Sequence, residues 1–287
     1  MKEEDVSQLM FSSGIVIGAD HVATKKNCQD ALKMLQKPEF LVAFVADGCG
    51  DAIYSPYSEM GSRQGVTTAV NYVAAKLETT SKWRWNSTLQ STGFWGDVQR
   101  HSLEKMDDAA RGMGGNYKQV VISHFLFTLV GMVVTPDITL FVSLGDGYYF
   151  LNGEMYEVRP NPVDNMPPYL AFNLVETSLR KMSPEELKLS VKKVVPTRSV
   201  ESVMISTDGL GGILSDSKKR VPGTNTEVGG PEQFWNEKDY FDNTFSLGWR
   251  LNQLATEKKI IKWDEKRAEV HPAIITDDLA LVVGRRY

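Results

Sequence analysis

Several apolar runs of this chain end on an acid. Residues 40–46 are continuously apolar, too short for a helix, and read as a strand buried on both faces. That run stops at Asp47-Gly48. Residues 139–145 stop at Asp146-Gly147, and residues 202–207 stop at Asp208-Gly209. A fourth copy is reversed, with Asp277-Asp278 standing just before the apolar residues 279–283.

The spacing elsewhere predicts the remaining elements. Residues 1–12 read as a loose arm and residues 13–287 as one domain. Residues 14–19 form a β-branched run and a predicted strand, residues 21–30 a polar loop, and residues 31–36 the next strand. Val66, Ala69, Val70, Val73, Ala74 and Leu77 recur at helical spacing, so residues 61–77 are a predicted helix, with Ser58 as its N-cap. Residues 78–94 are a connection. Residues 94–113 are a second helix, closed by Gly112, Gly114 and Gly115. From Val120 the pattern turns strand-like, with 125–134 and 138–144 as one hairpin. Residues 148–151 and 154–158 form another, joined by Asn152-Gly153, a strong two-residue hairpin signal.

Prolines keep 159–170 irregular, and Ser183-Pro184-Glu185-Glu186 is a helix-start signal. Residues 189–195 and 200–207 are predicted strands. Residues 211–235 read as an exposed, glycine-rich insertion, 241–259 as a helix, and 274–283 as a closing strand pair. Hairpin connections dominate this order. It predicts an α+β fold of antiparallel sheets covered by helices, not a doubly wound parallel sheet.

Composition narrows the function classes. The chain has 287 residues, 42% of them hydrophobic, enough to bury a sizeable core. A net charge of −4 offers no basic surface for nucleic acid. Two cysteines, Cys28 and Cys49, make no disulfide framework and fit a reducing compartment. The polar start, Met-Lys-Glu-Glu-Asp-Val, has no apolar core of a signal peptide. His124, Pro136 and Asp137 interrupt the most apolar region, so no membrane span is expected. The expectation is a cytoplasmic protein with neither nucleic-acid nor membrane partners.

One Asp-Gly after a strand is ordinary turn chemistry. Three copies plus Asp277-Asp278 ask for more, because acids brought together repel one another and need cations. Oxygen ligands select hard ions such as Mg²⁺ or Mn²⁺, and two such ions can clamp a phosphoryl group.

The residues then resemble a family. Asn27-Cys28-Gln29-Asp30-Ala31, Val45-Ala46-Asp47-Gly48-Cys49-Gly50, Ser58-Glu59-Met60-Gly61, Phe127-Thr128-Leu129, Gly145-Asp146-Gly147, Ser206-Thr207-Asp208-Gly209-Leu210 and Asp277-Asp278-Leu279-Ala280-Leu281-Val282-Val283 occur in this order across nearly the whole chain. The pattern resembles the metal-dependent protein phosphatases of type 2C, above all their bacterial subfamily. The resemblance implies a four-layer α-β-β-α sandwich with two central antiparallel sheets. It implies hydrolysis of phosphoserine and phosphothreonine proteins, among them a partner kinase's targets, by a hydroxide held between two Mn²⁺ or Mg²⁺ ions. By motif position Asp47 would bridge both metals, Gly48 would give a carbonyl to one, and Asp208 and Asp277 would complete the other. Asp30 would assist through water, and Asp146 would serve a weaker third metal. Asp278 has a less defined role.

Three positions depart from the family pattern. Cys49 stands where many members carry a histidine that protonates the leaving group. Lys25 stands where many place an arginine to grip phosphate, and His21 is a second phosphate-binding candidate. Gln29 replaces a carboxylate by an amide. These departures frame two alternatives: a catalytically weak phosphatase-fold scaffold that binds phosphoproteins, and a phosphohydrolase of small esters. Residues 160–170 and 211–235 are expected to flank the cleft and select the substrate.

Overall fold

The computed structural model describes residues 8–50, 55–158, 166–176 and 182–287. In chain order the elements are β1 (Leu9–Val16), α1 (Ala19–Thr24), β2 (Ala31–Gln36), β3 (Leu41–Ala46), α2 (Ser58–Thr79), α3 (Trp85–Leu89), α4 (Thr92–Met113), α5 (Tyr117–His124), β4 (Leu129–Val134), β5 (Ile138–Leu144), β6 (Gly147–Leu151) and β7 (Glu154–Val158). There follow β8 (Ser190–Pro196), β9 (Ser202–Ser206), α6 (Gly211–Asp216), α7 (Gln233–Asn236), α8 (Asp239–Asp242), α9 (Ser246–Ala255), β10 (Lys258–Lys262), β11 (Arg267–His271) and β12 (Leu279–Arg286).

The apolar runs become the middle of two five-stranded sheets, ordered β2-β3-β4-β5-β8 and β1-β12-β9-β6-β7. Every pairing in both is antiparallel. Alternate residues of β3 serve two different cores, which is why it reads as a continuous apolar run. Leu41, Ala43 and Val45 face inward with Val130 and Met132, against Val203, Ile205, Ala280 and Val282 of the other sheet. Val42, Phe44 and Ala46 face outward, against Val66, Val70 and Val73 of α2. On the far side Met204, Leu281 and Val283 meet Leu247, Leu251 and Leu254 of α9. The four layers are therefore helix, sheet, sheet and helix, as expected. Gly131 on β4 makes room for Phe44: a Cβ there would lie 2.3 Å from the ring.

Several expectations need correction. The arm does not reach residue 12. β1 starts at Leu9, which is buried in the inter-sheet core and pairs with Arg286; residues 1–7 lie outside the described residues. The loop 21–30 begins inside α1, a helix whose C-cap, Lys25, takes the left-handed conformation at φ 58°. The connection 78–94 contains α3, where Trp85 donates its indole N–H to the carbonyls of Leu77 and Thr80. Residues 117–124 are helical, not extended. Asn116 caps α5 by accepting from the N–H of Gln119 at 3.1 Å, and this local bond outweighs the β-branched run Val120-Val121-Ile122.

The signal at Ser183 forms its capping box, with Ser183 N–H donating to Glu186 at 2.8 Å, yet only a turn follows before β8. A nucleus without residues to extend it does not make a helix. Segment 211–235 is not simply exposed: α6 lies in it, and Ile213, Val221, Val228 and Phe234 are buried. The predicted helix 241–259 is shorter, α9 alone, and its tail joins the unanticipated hairpin of β10 and β11. The closing pair is one strand, β12. Ser58 is the first residue of α2 and Tyr57 its N-cap. Among the described residues no helix is long and apolar enough to cross a membrane.

Candidate metal centre

Strand register brings the acids together. Ala31 pairs with Ala46, so Asp30 and Asp47, one residue beyond each strand end, sit side by side. In the other sheet Ser206 pairs with Leu281 and with Tyr148. The end of β9 and the starts of β6 and β12 therefore gather Asp208, Asp146 and Asp277 at one edge. The two edges face each other: Thr207, beside Asp208 at the end of β9, donates its hydroxyl to Asp30 at 2.6 Å. Exposure is graded across the group. Asp30 is buried, Asp47 and Asp146 are half-buried, and Asp208 and Asp277 open to solvent.

Electrostatics follow from this crowding. Burial first, and then the neighbouring carboxylates, hold Asp47 well above the usual carboxylate range. Asp30 is raised for the same two reasons, although the hydroxyl of Thr207 opposes them. Asp146 is pushed up to about 7 by burial and by Asp208. Asp208 is pushed to about 6 by the surrounding protein and by Asp277, even though its tip is exposed.

The backbone around the acids is tightly tied. The Asp47 carbonyl accepts from Thr128 N–H at 2.8 Å, Gly48 bridges to Phe127, and Cys49 N–H donates to the Leu126 carbonyl at 2.9 Å. Ser58 Oγ donates to the Cys49 carbonyl at 3.0 Å, fixing the start of α2 to the same loop. Gly145, at φ +103°, turns the chain from β5 toward Asp146 against Thr128. Gly209 lies so close to the Asp278 carbonyl that a Cβ would sit 2.0 Å from its oxygen.

These residues fit a divalent cation. Among the described residues no lysine or arginine pairs with Asp30, Asp47, Asp146 or Asp208. Asp146 Oδ1 and the buried Gln29 Oε1 have no hydrogen-bond partner among the described residues. Unpaired buried oxygen is costly, and a cation with its waters would satisfy it. The acids do not form a closed cage: among the described residues no three His, Cys, Asp or Glu side chains stand ready to enclose one ion. Such an open set suits hydrated Mg²⁺ or Mn²⁺ better than a dehydrated structural ion.

Residues 17–253 match the family model described as protein phosphatase 2C. The chain belongs to that family. It is 28% identical over 146 residues to serine/threonine-protein phosphatase 3 of Escherichia coli strain K12, a match covering 49% of this chain and 51% of that protein. The chain thus spans about half the length of the curated relative it matches. Among solved structures, a bacterial serine phosphatase aligns at a TM-score of 0.50 and 12% identity, covering 97% of this chain and 98% of that one. A mutant bacterial serine phosphatase aligns at 0.51 and 11%, with the same coverage. At such identities the likeness concerns the fold, two antiparallel sheets between helices.

Within this type 2C fold the predicted residues are not all in one place. Asp30, Asp47, Asp146, Asp208 and Asp277 come together, and Gly48 packs against the Gln29 carbonyl with no space for a Cβ. Lys25 is exposed at the end of α1. Its neighbour Lys26 makes the contact instead, donating Nζ to the Gly50 carbonyl at 2.9 Å. His21 is buried and held by Asp278 at 2.8 Å. Asp278 is 1% exposed and also accepts from Gly18 N–H and Gln29 N–H, at 2.7 and 2.6 Å. Its role is to tie α1 and the Gln29 backbone to the start of β12.

Two residues of this family member escaped sequence reasoning. Thr207 donates to Asp30 at 2.6 Å and accepts from Ala280 N–H at 2.9 Å, coupling the two sheet edges. Its only signal was its place before Asp208. Tyr169 is buried close to Cys49. Burial, and then Cys49 and Asp47, raise its hydroxyl far above the usual phenol value, so it stays a donor. The prolines before it marked an irregular segment, and nothing local marked its partner.

Proposed function

We propose that the chain is a divalent-metal-dependent serine/threonine protein phosphatase. The observation that carries the reading is the convergence of Asp30, Asp47, Asp146, Asp208 and Asp277, with no lysine or arginine paired to any of them among the described residues. Asp47, the carbonyl of Gly48, Asp208 and Asp277 would hold two Mn²⁺ or Mg²⁺ ions, and Asp146 a weaker third. Bound there, the ions would acidify water and neutralise the phosphoryl oxygens. Asp30, fixed by Thr207, orients water beside Asp47 from beneath. Lys25, with Lys26 beside it, is the cation proposed to grip the phosphate, with His21 the second candidate for that contact. The proposed substrates are phosphoserine and phosphothreonine proteins in the cytoplasm, including those a partner kinase makes. Residues 166–170 and 211–235 flank the cleft and select among them; residues 160–165 lie outside the described residues.

With Mn²⁺, the purified protein is expected to hydrolyse both p-nitrophenyl phosphate and a phosphothreonine peptide. Asp47→Asn should retain below about 1% of that turnover, since even partners one shell away from a metal cost 10- to 100-fold. No hydrolysis of either substrate with Mn²⁺ bound would sink the proposal. Substituting the exposed residues 223–227, which leaves the buried Ile213, Val221, Val228 and Phe234 in place, should alter peptide turnover more than p-nitrophenyl phosphate turnover. The second reading, a phosphoprotein-binding scaffold, is favoured by one observation: Cys49, a thiol, occupies the position where a proton donor is wanted. Calorimetry showing tight phosphopeptide binding without turnover at saturating Mn²⁺ would select it.

A further inference from the structure

His21 differs from the other three histidines in what surrounds it. It is 7% exposed, and its Nδ1 lies 2.8 Å from Asp278 Oδ2. Asp278 cannot swing away, because Gly18 N–H and Gln29 N–H hold its two oxygens. With Nδ1–H donating to that carboxylate, the lone pair of Nε2 is free and its direction is fixed. Nε2 lies 3.9 Å from Asp277 Oδ1, beyond a hydrogen bond, and makes no hydrogen bond among the described residues. Asp277 is in turn steadied by the N–H of Asp278, which donates to Oδ1 at 2.8 Å. A carboxylate that fixes one imidazole nitrogen while the other faces a second acid is the arrangement by which proteins orient a metal-ligating histidine.

We infer that His21 is a metal ligand in this centre, binding through Nε2 beside Asp277, with Asp278 as the positioning residue that sets its tautomer and direction. The 3.9 Å gap lies within the roughly 4.0 to 4.4 Å that two ligand atoms, each about 2.0 to 2.2 Å from one ion, can span at most, so a small side-chain adjustment brings both onto a shared ion. Water and substrate oxygen fill the remaining positions, consistent with the absence of a three-residue cage among the described residues. A nitrogen ligand shifts selectivity away from Mg²⁺, which prefers all-oxygen octahedra, and toward Mn²⁺ and later transition metals. The inference rests on the metal-dependent reading, and it replaces phosphate binding as the function of His21.

The test needs no turnover. Full-length protein without a histidine tag is loaded with Mn²⁺ and examined by pulsed electron paramagnetic resonance. A directly bound ¹⁴N coupling is expected, replaced by a ¹⁵N coupling when the wild-type chain is labelled with ¹⁵N-histidine. His21→Gln should abolish it, and a chain with His101, His124 and His271 all changed to Gln should keep it. Asp278→Asn should weaken Mn²⁺ binding about 10- to 100-fold by calorimetry. His21→Asp, with an oxygen ligand restored, should lower the Mn²⁺-over-Mg²⁺ preference at least about tenfold. Bound Mn²⁺ with no nitrogen coupling in the unmutated chain would overturn the inference, whatever the variants do. A nitrogen coupling in a protein that hydrolyses no phosphoester would leave the ligand in place and remove the phosphatase reading instead.

Discussion

Thr207 and the acids it serves carry the predictions at the residue scale. Its hydroxyl gives a proton to Asp30 and takes one from Ala280 N–H, so Thr207→Val leaves two buried groups unpaired. Urea denaturation should show a loss of roughly 1 to 3 kcal/mol, which Thr207→Ser largely restores. Without metal, the crowded carboxylates also set a pH dependence. A carboxyl that holds its proton more tightly in the folded chain than in the unfolded one favours folding at low pH. Its penalty grows as pH rises from near 4, the unfolded value, through about 6 for Asp208 and about 7 for Asp146. Protein in EDTA is therefore expected to melt lower at pH 7.5 than at pH 5.5, and saturating Mn²⁺ should close the gap. A melting temperature that rises with pH in EDTA would contradict this account.

Glycines separate the elements that must touch from those that need not. Gly209 sits where β9 hands the chain to α6, and a Cβ would strike the backbone oxygen of Asp278. Gly209→Ala should cost about 1 to 3 kcal/mol and weaken Mn²⁺ binding, because it forces the two acidic strand ends apart. Gly96, in the second turn of α4, has nothing within 4 Å of its absent Cβ. Gly96→Ala should stabilise the protein by about 0.5 to 1 kcal/mol and leave metal binding unchanged. The same scale explains what the sequence disclosed. Strands β3, β5, β9 and β12 were legible because an apolar run meeting an acid is a two-part signal, and the acids pointed to one another. Helices α1 and α5 were not, since each is decided by a single cap against the composition around it. Hairpin β10–β11 was hidden because Ile260, Ile261 and Val270 are exposed and its charges are mixed, so no buried face imposed a period. The partnership of Tyr169 with Cys49 joins residues 120 positions apart, which no local pattern encodes.

At the scale of the molecule the centre is a seam. Asp30 and Asp47 belong to one sheet, and Asp208 and Asp277 to the other, with Asp146 on the turn that crosses between them. A cation held there links the two sheets directly. Metal at about a hundred times its dissociation constant adds about 2.7 kcal/mol, or roughly 5 to 10 °C in melting temperature. The shift should vanish in Asp47→Asn, a comparison that scanning fluorimetry checks without any substrate.

The placement of β12 also governs when the protein can act. This strand lies between β1 and β9, and Asp277 and Asp278 stand at its threshold. During translation β1 must wait, with its inner edge unpaired, for a segment made some 260 residues later, the interval that separates Gly18 from Asp278. Contacts of such separation form late. A nascent chain whose β12 has not yet emerged therefore has no assembled acidic cluster, however well its first sheet has folded, until that strand is free to insert.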